Sequence, residues 1–216
     1  MKKNYDIIVF DLDGTITASD LGITNSIKYA LNYFGLEKDN ESLKRHIGPA
    51  LSATFREYVG DDEEKIQLAI KKYREYYVDQ GGMLENEVYE GVEETLNEIK
   101  NRGKKIILAS SKPMVFCEKI LQHFKLDKYF DFIGGSNLDE TRCKKVEVIA
   151  YSLENIGEVP GANVLMVGDR EYDILGAKEL GIDSVGVLFG YGDKEELENA
   201  GATYIIEKMT DILEIV

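Results

Sequence analysis

The sequence predicts an α/β fold: a parallel sheet with helices on both faces, opened after its first strand by an all-helical insert. Two observations carry this. Short, β-rich or continuously apolar runs alternate with helical patterns through most of the chain, and strand alternating with helix builds a parallel sheet covered on both faces. The stretch from about Ile16 to Glu87 breaks that rhythm, with several apolar stripes at helical spacing and no convincing strand.

The expected strands are Ile7 to Phe10, Lys105 to Ala109, Tyr129 to Ile133, Val164 to Val167, Ser184 to Val187 and Tyr204 to Ile206, each a few residues long and bounded by turn residues. Helices are expected between them. Gly91 to Arg102 places Val92, Leu96 and Ile99 on one face and stops at Gly103; Pro113 to His123 opens on proline; Glu171 to Leu180 ends at Gly181. In the insert, Ile23, Ile27, Ala30, Leu31 and Phe34 form one stripe and Ile66, Ala69, Ile70, Tyr73 and Tyr77 another, with Gly48-Pro49 separating two shorter helices. The expected division is therefore a core of 1–16 and 88–216 and a cap of 17–87. An insert directly after the first strand reads as a lid over the strands' carboxyl ends, with the loop near Ala18 and Gly81-Gly82 as hinges.

Composition narrows the function. With 44% hydrophobic and 31% charged residues the chain has the usage of a folded globular protein. A formal charge of −14 argues against a nucleic-acid polymer as partner, since phosphate backbones need clustered Lys and Arg, and it obliges any phosphate site to bring its own cations. The two cysteines, Cys117 and Cys143, are too few for a disulfide framework, and no run approaches the roughly 18 apolar residues of a membrane span. The expectation is a cytoplasmic protein with no membrane partner. Oligomeric state leaves no mark in the sequence.

Chemistry concentrates where strands end. Ile7 to Phe10 runs into Asp11-Leu12-Asp13-Gly14-Thr15, which sets two carboxylates beside one crevice, an arrangement that repulsion disfavours unless a metal or a shared proton offsets it. Ile106 to Ala109 runs into Ser110-Ser111-Lys112-Pro113, offering hydroxyls and a helix amino terminus to an anion. Val164 to Val167 runs into Gly168-Asp169-Arg170-Glu171-Tyr172-Asp173, two acids four apart, while Lys144 and Lys145 open a helix, where the dipole disfavours a cation. Taken singly, each acidic or hydroxyl stretch also reads as an ordinary helix cap or turn. Together they supply oxygen ligands for Mg²⁺, donors for a phosphate and a lysine to neutralise charge. His46 and His123 read as surface or packed residues, Tyr73, Tyr76 and Tyr77 as core and rim, and Cys117 as a small core hydrophobe.

In that order Asp11-Leu12-Asp13-Gly14-Thr15, Ser110, Lys145 and Gly168-Asp169-Arg170-Glu171-Tyr172-Asp173 resemble the four motifs of the haloacid dehalogenase superfamily, and the chain looks like its phosphoglycolate phosphatase-like branch with a helical cap. The resemblance implies a Rossmann-like core, Mg²⁺ as cofactor and a small phosphorylated substrate. It implies Asp11 as the nucleophile that forms an aspartyl-phosphate, Asp13 as general acid and then base, and Ser110 and Lys145 as holders of the phosphoryl oxygens, with Ser111 and Gly14 beside them. Mg²⁺ would be held by Asp11, the backbone carbonyl of Asp13 and Asp169, with Asp173 behind them. Of the adjacent lysines, the pattern Lys145-Val146-Glu147-Val148-Ile149 favours Lys145, although Val146 stands where relatives often have proline. An acid at Asp13 points to ester or anhydride hydrolysis, and Arg45, Gly48 and Pro49 match a cap stretch that faces the substrate in relatives. Phosphoglycolate or a nucleoside 5′-monophosphate is the expected substrate. A sugar-phosphate mutase with the same chemistry and a non-catalytic phosphometabolite-binding regulator are the alternatives.

Overall fold

The computed structural model describes residues 3–216, which divide into two compact units. The first comprises the chain up to Thr17 and Val88–Val216; the second is Ala18–Glu87.

In the first unit β1 (Ile7–Phe10) is followed, after β2 (Thr17–Ala18) and β3 (Glu87–Val88), by β4 (Lys105–Pro113), β5 (Phe132–Ser136), β6 (Val164–Gly168), β7 (Asp183–Val187) and β8 (Tyr204–Ile206). β2 and β3, which carry the chain out of this unit and back, pair as a two-stranded ribbon. The other six form one sheet in the order β5-β4-β1-β6-β7-β8, with every pairing parallel. β1 therefore lies between β4 and β6, where the strand order reverses, and ligands of open α/β sheets bind outside the carboxyl ends at such a point. Its four residues are all buried, as a strand covered on both faces requires.

One face of the sheet packs Ile7, Val9, Ile107, Ala109, Val164 and Met166 against Val148, Ile149 and Leu153 of α7 (Lys145–Asn155) and Ala177 of α8 (Glu171–Glu179). Phe10, Ile106, Leu108, Leu165 and Val167, pointing the other way, are equally buried. α5 (Val92–Asn101) buries the stripe Val92, Leu96 and Ile99, and α6 (Met114–His123) buries Cys117, Ile120 and Leu121.

Besides the short β2 and β3, which the sequence does not announce, three elements differ from expectation. β4 continues through Ser110 to Pro113, with an irregularity between Ser110 and Pro113 in its pairing with β5, so Ser110 lies in a strand and α6 starts four residues later at Met114. β5 is displaced toward Ser136, and Asp127–Tyr129 is a 3₁₀ turn. α9 (Lys194–Ala200) has no apolar stripe that would announce it; only Leu197 and Ala200 are buried.

The second unit is helical: α1 (Asp20–Tyr33), α2 (Asn40–Leu43), α3 (Leu51–Val59) and α4 (Glu63–Arg74), then a π-helical turn (Glu75–Asp79). Its interior is built from Ile23, Ile27, Ala30 and Leu31 of α1, Phe55 of α3 and Ile66, Ala69, Ile70 and Tyr73 of α4. Asp39 and Asp62 cap α2 and α4 by accepting from the backbone N–H of Ser42 and Lys65. Tyr73 and Tyr77 are buried and stacked with centroids 5.3 Å apart, whereas Tyr76 donates to Glu85.

Candidate active site

The site begins with the turn after β1. The Asp11 backbone N–H donates to the carbonyl of Val167, which keeps Asp11 in register with β6 as the side chain leaves the sheet edge. The Leu12 carbonyl then accepts from the N–H groups of Thr15, Ile16 and Thr17, and Gly14 N–H donates to Thr17, folding Asp11 to Thr17 into a closed loop. Gly14 has φ +84, and a Cβ there would lie 2.1 Å from the Asp169 carboxylate. Glycine is required twice over: for the left-handed backbone and for the carboxylate's space.

Gly14→Ala is thus expected to cost about 2 kcal/mol or more beyond Gly103→Ala, through displacement of Asp169. Gly103 has a similarly positive φ, but a Cβ there meets nothing within 4 Å. Urea unfolding of the two variants measures the difference, and equal losses would mean that the Asp169 contact does not matter.

Asp11, Asp169 and Asp173 are buried and offer oxygens within 4.8 Å of one another. The Lys145 ammonium lies 2.7 Å from Asp11 Oδ1 and 2.7 Å from Asp173 Oδ1, and donates to the Ala109 carbonyl at 3.1 Å. Lys144 is exposed and is the N-cap residue of α7, so the buried partner of Asp11 is Lys145. Asp169 accepts from Thr15 Oγ1 at 3.3 Å and from the Tyr191 backbone N–H at 2.8 Å. Asp173 accepts from Arg170 N–H as well as pairing with Lys145, which fixes the start of α8. Three carboxylates face one ammonium. Burial, followed by the charges of Asp173 and Asp13, pushes the Asp11 carboxyl up to about 6 against the pull of Lys145. Burial with the charges of Asp173 and Asp11 raises Asp169 well above the usual carboxylate range. Burial alone would lower Lys145, but Asp11 and Asp173 hold it above its ordinary value. An acidic excess of this kind, presenting only oxygen ligands, fits a divalent cation such as Mg²⁺.

Ser110 is buried, with its Oγ accepting from Lys112 N–H at 3.3 Å, and Ser111 follows it half-buried in β4. The hydroxyls at this edge therefore stand on the end of β4 and its irregular extension, which leads directly into α6 at Met114. Asp13 is paired with Lys112 at 2.6 Å. Arg45 and Gly48 belong to the helical unit: Arg45 sits in a 3₁₀ turn, ion-paired with Glu57 and donating to His46, and Gly48 follows that turn with φ +105. His46 is buried against Tyr58, and burial lowers its pKa.

Lys112 and the Gly190-Tyr191-Gly192 turn escape a reading of the sequence, whereas Thr15 stands in the stretch that it singles out after β1. Cβ atoms at Gly190 and Gly192 would come within 2.3 Å and 2.1 Å of Asp169, so the turn closes directly onto that residue. The available signal was two glycines flanking one residue shortly after a strand.

A buried carboxylate–lysine pair thus lies at the carboxyl end of the central parallel strand, with further carboxylates beside it, in an α/β fold whose strand order reverses at that point. The chain belongs to the haloacid dehalogenase-like hydrolases, whose family model matches residues 8–187. It is 41% identical over 194 residues to a 5′-nucleotidase of Pseudomonas aeruginosa, covering 89% of this chain and 87% of the relative. It is 34% identical over 210 residues to the tyrosine-protein kinase PtkA of Mycobacterium tuberculosis, covering 96% and 70%. The crystal structure of a predicted phosphatase from Clostridium acetobutylicum superimposes with a TM-score of 0.91 at 45% identity, covering 98% and 99%. The protein is an enzyme, a phosphatase of this family. No helix among the described residues is long and apolar enough to cross a membrane.

Proposed function

We propose that the protein is a Mg²⁺-dependent phosphatase that hydrolyses a small phosphomonoester through an aspartyl-phosphate at Asp11. The observation that carries this reading is the Asp11–Lys145 pair at 2.7 Å, placed at the end of β1 among buried carboxylates that a single lysine does not neutralise.

In the first half-reaction a carboxylate oxygen of Asp11 attacks phosphorus, and the bond to the substrate's oxygen breaks. Asp13 gives that leaving oxygen a proton. In the second, Asp13 takes a proton from water, the water oxygen attacks phosphorus, and the bond to Asp11 breaks to release phosphate. Lys145 and the hydroxyl of Ser110, with Ser111 adjacent, hold the non-bridging oxygens, so that the donors are in place before charge shifts onto them. Asp11, the Asp13 carbonyl and Asp169 would hold Mg²⁺, with Asp173 steadying Lys145; when bound, the cation neutralises acidic and phosphoryl charge. Gly14 serves by making room for Asp169.

The 5′-nucleotidase relative supports a nucleoside 5′-monophosphate as the substrate, with phosphoglycolate second. We assign substrate choice to the helical unit, with Arg45 and Gly48 as contacts. The test is phosphate release from nucleoside monophosphates, phosphoglycolate, sugar phosphates and pyrophosphate, with Mg²⁺ or EDTA. Metal-dependent release, strongest on a nucleoside monophosphate, is expected. No release from any of them by folded, Mg²⁺-binding protein would overturn the reading, and isomerisation of a sugar phosphate without release would replace it with a mutase.

Asp13→Asn is expected to reduce kcat about 10²-fold or more on an alkyl phosphate and far less on p-nitrophenyl phosphate, whose leaving group departs without a proton. Equal losses on both would remove Asp13 from the proton-transfer role.

A further inference from the structure

We propose that Lys112 is a positioning residue that fixes the carboxylate of Asp13 for proton transfer; this rests on the aspartyl-phosphate reading. Asp13 has its backbone held by the turn after β1, bridged to Thr17, but its side chain would be free to rotate about χ1 and χ2. The Lys112 ammonium removes that freedom by donating to Oδ1 at 2.6 Å. Both side chains are largely buried, 7% and 13% exposed. Among the described residues Oδ2 has no hydrogen-bond partner, so one oxygen is pinned and the other is left for the leaving group. A proton carried on Oδ2 leaves Oδ1 able to accept from Lys112, so the same contact serves both halves of the cycle.

The local structure of β4 supports the assignment. The irregularity between Ser110 and Pro113 takes Lys112 out of regular pairing with β5. Its backbone is then tied on both sides, the N–H donating to Ser110 Oγ and the carbonyl accepting from Cys117 Sγ. A buried ion pair is a poor source of stability, because desolvating two charges offsets most of their attraction. Its consequence is a fixed geometry, and a misplacement of about 1 Å in a reacting group costs up to about 10²-fold in rate.

The experiment compares phenyl phosphate with p-nitrophenyl phosphate, which have nearly the same shape and differ in how much the leaving oxygen needs a proton. Lys112→Met is expected to lower kcat on phenyl phosphate by about tenfold or more relative to its effect on p-nitrophenyl phosphate, with KM little changed. Added to Asp13→Asn, it should cause no further loss, because the two residues act as one unit. Lys112→Arg, which keeps a cation in reach of Oδ1, is expected to restore most of the difference, and it keeps the test decisive if Lys112→Met folds poorly. Equal losses on both substrates, a change confined to KM, or additivity with Asp13→Asn would overturn the proposal and place Lys112 on the substrate or in the scaffold. Asp11→Asn separates the two readings. If that variant still turns over, the aspartyl-phosphate reading fails and the Lys112 proposal with it; if it is inactive, the Lys112 results stand or fall alone.

Discussion

Asp11→Asn will leave the fold intact and reduce phosphate release by about 10⁴-fold or more. The carboxamide has nearly the shape of the carboxylate, so the buried position at the end of β1 is filled as before. What it lacks is the charge and the nucleophilic oxygen. Lys145 keeps Asp173 as a partner at 2.7 Å, so the substitution strands no buried ammonium. Removing one of three crowded carboxylates also relieves repulsion, and the variant should be no less stable than the wild type without metal. Circular dichroism and thermal unfolding check the fold, and phosphate release checks the loss. A variant with wild-type activity would mean that Asp11 is not the nucleophile.

The second large effect is on stability, and it depends jointly on pH and metal. The Asp11 carboxyl is raised from 3.8 to about 6 in the folded chain, chiefly by burial. A raised carboxyl makes the folded state bind more protons than the unfolded state between those values. The contribution of Asp11 to stability without metal is therefore most favourable below about pH 4, falls as the pH rises toward 6, and stays reduced above it. For Asp11 the loss is on the order of 3 kcal/mol, and Asp169, raised in the same direction, adds to it. A divalent cation bound to the ionised carboxylates would reverse the penalty. At about 100 times its dissociation constant it adds roughly 2.7 kcal/mol. The expected result is a rise in Tm with Mg²⁺ of about 5–10 °C at pH 7.5, shrinking to a few degrees or less at pH 5, where protons compete. Asp169→Asn should raise the metal-free Tm at pH 7.5 and abolish the Mg²⁺ shift. A Mg²⁺ shift that is independent of pH, or that survives Asp169→Asn, would contradict the site.

The legible parts of the fold were those that speak through apolar continuity. β1 and β6 lie within a residue of where their runs place them, because a strand buried on both faces has no other use for four or five consecutive apolar residues. β5 was displaced because Phe132–Ser136 contains Gly134-Gly135, which weakens a strand signal. Those glycines answer to packing: a Cβ on Gly134 would lie 1.9 Å from Ser152 Oγ, and one on Gly135 would lie 2.6 Å from Met114 Cα. No local pattern reveals such long-range contacts. α9 went unseen for a related reason, since a helix that buries only two side chains needs no stripe.

The site divides in the same way. Asp11, Asp13, Asp169 and Lys145 stood out because carboxylates directly after apolar strands, and a lysine opening a helix, need a reason to be there. Asp173 came into view four residues after Asp169 on the next helix. Lys112 did not, although it lies one residue beyond Ser111, because in sequence it looks like any surface lysine beside a proline. Only the irregular extension of β4 turns it toward Asp13. The closure of Gly190-Tyr191-Gly192 on Asp169 likewise depends on a contact spanning about twenty residues, made after β7 has crossed to its place in the sheet.

The most direct test of the account is to catch the covalent intermediate. Enzyme turning over p-nitrophenyl phosphate with Mg²⁺ would be quenched in acid, treated with borohydride and digested, since borohydride reduces an aspartyl-phosphate to homoserine but leaves a free aspartate unchanged. Homoserine is expected at position 11, dependent on substrate and absent from Asp11→Asn. Robust phosphate release with unmodified aspartate at position 11, or with the modification at another residue, would contradict it.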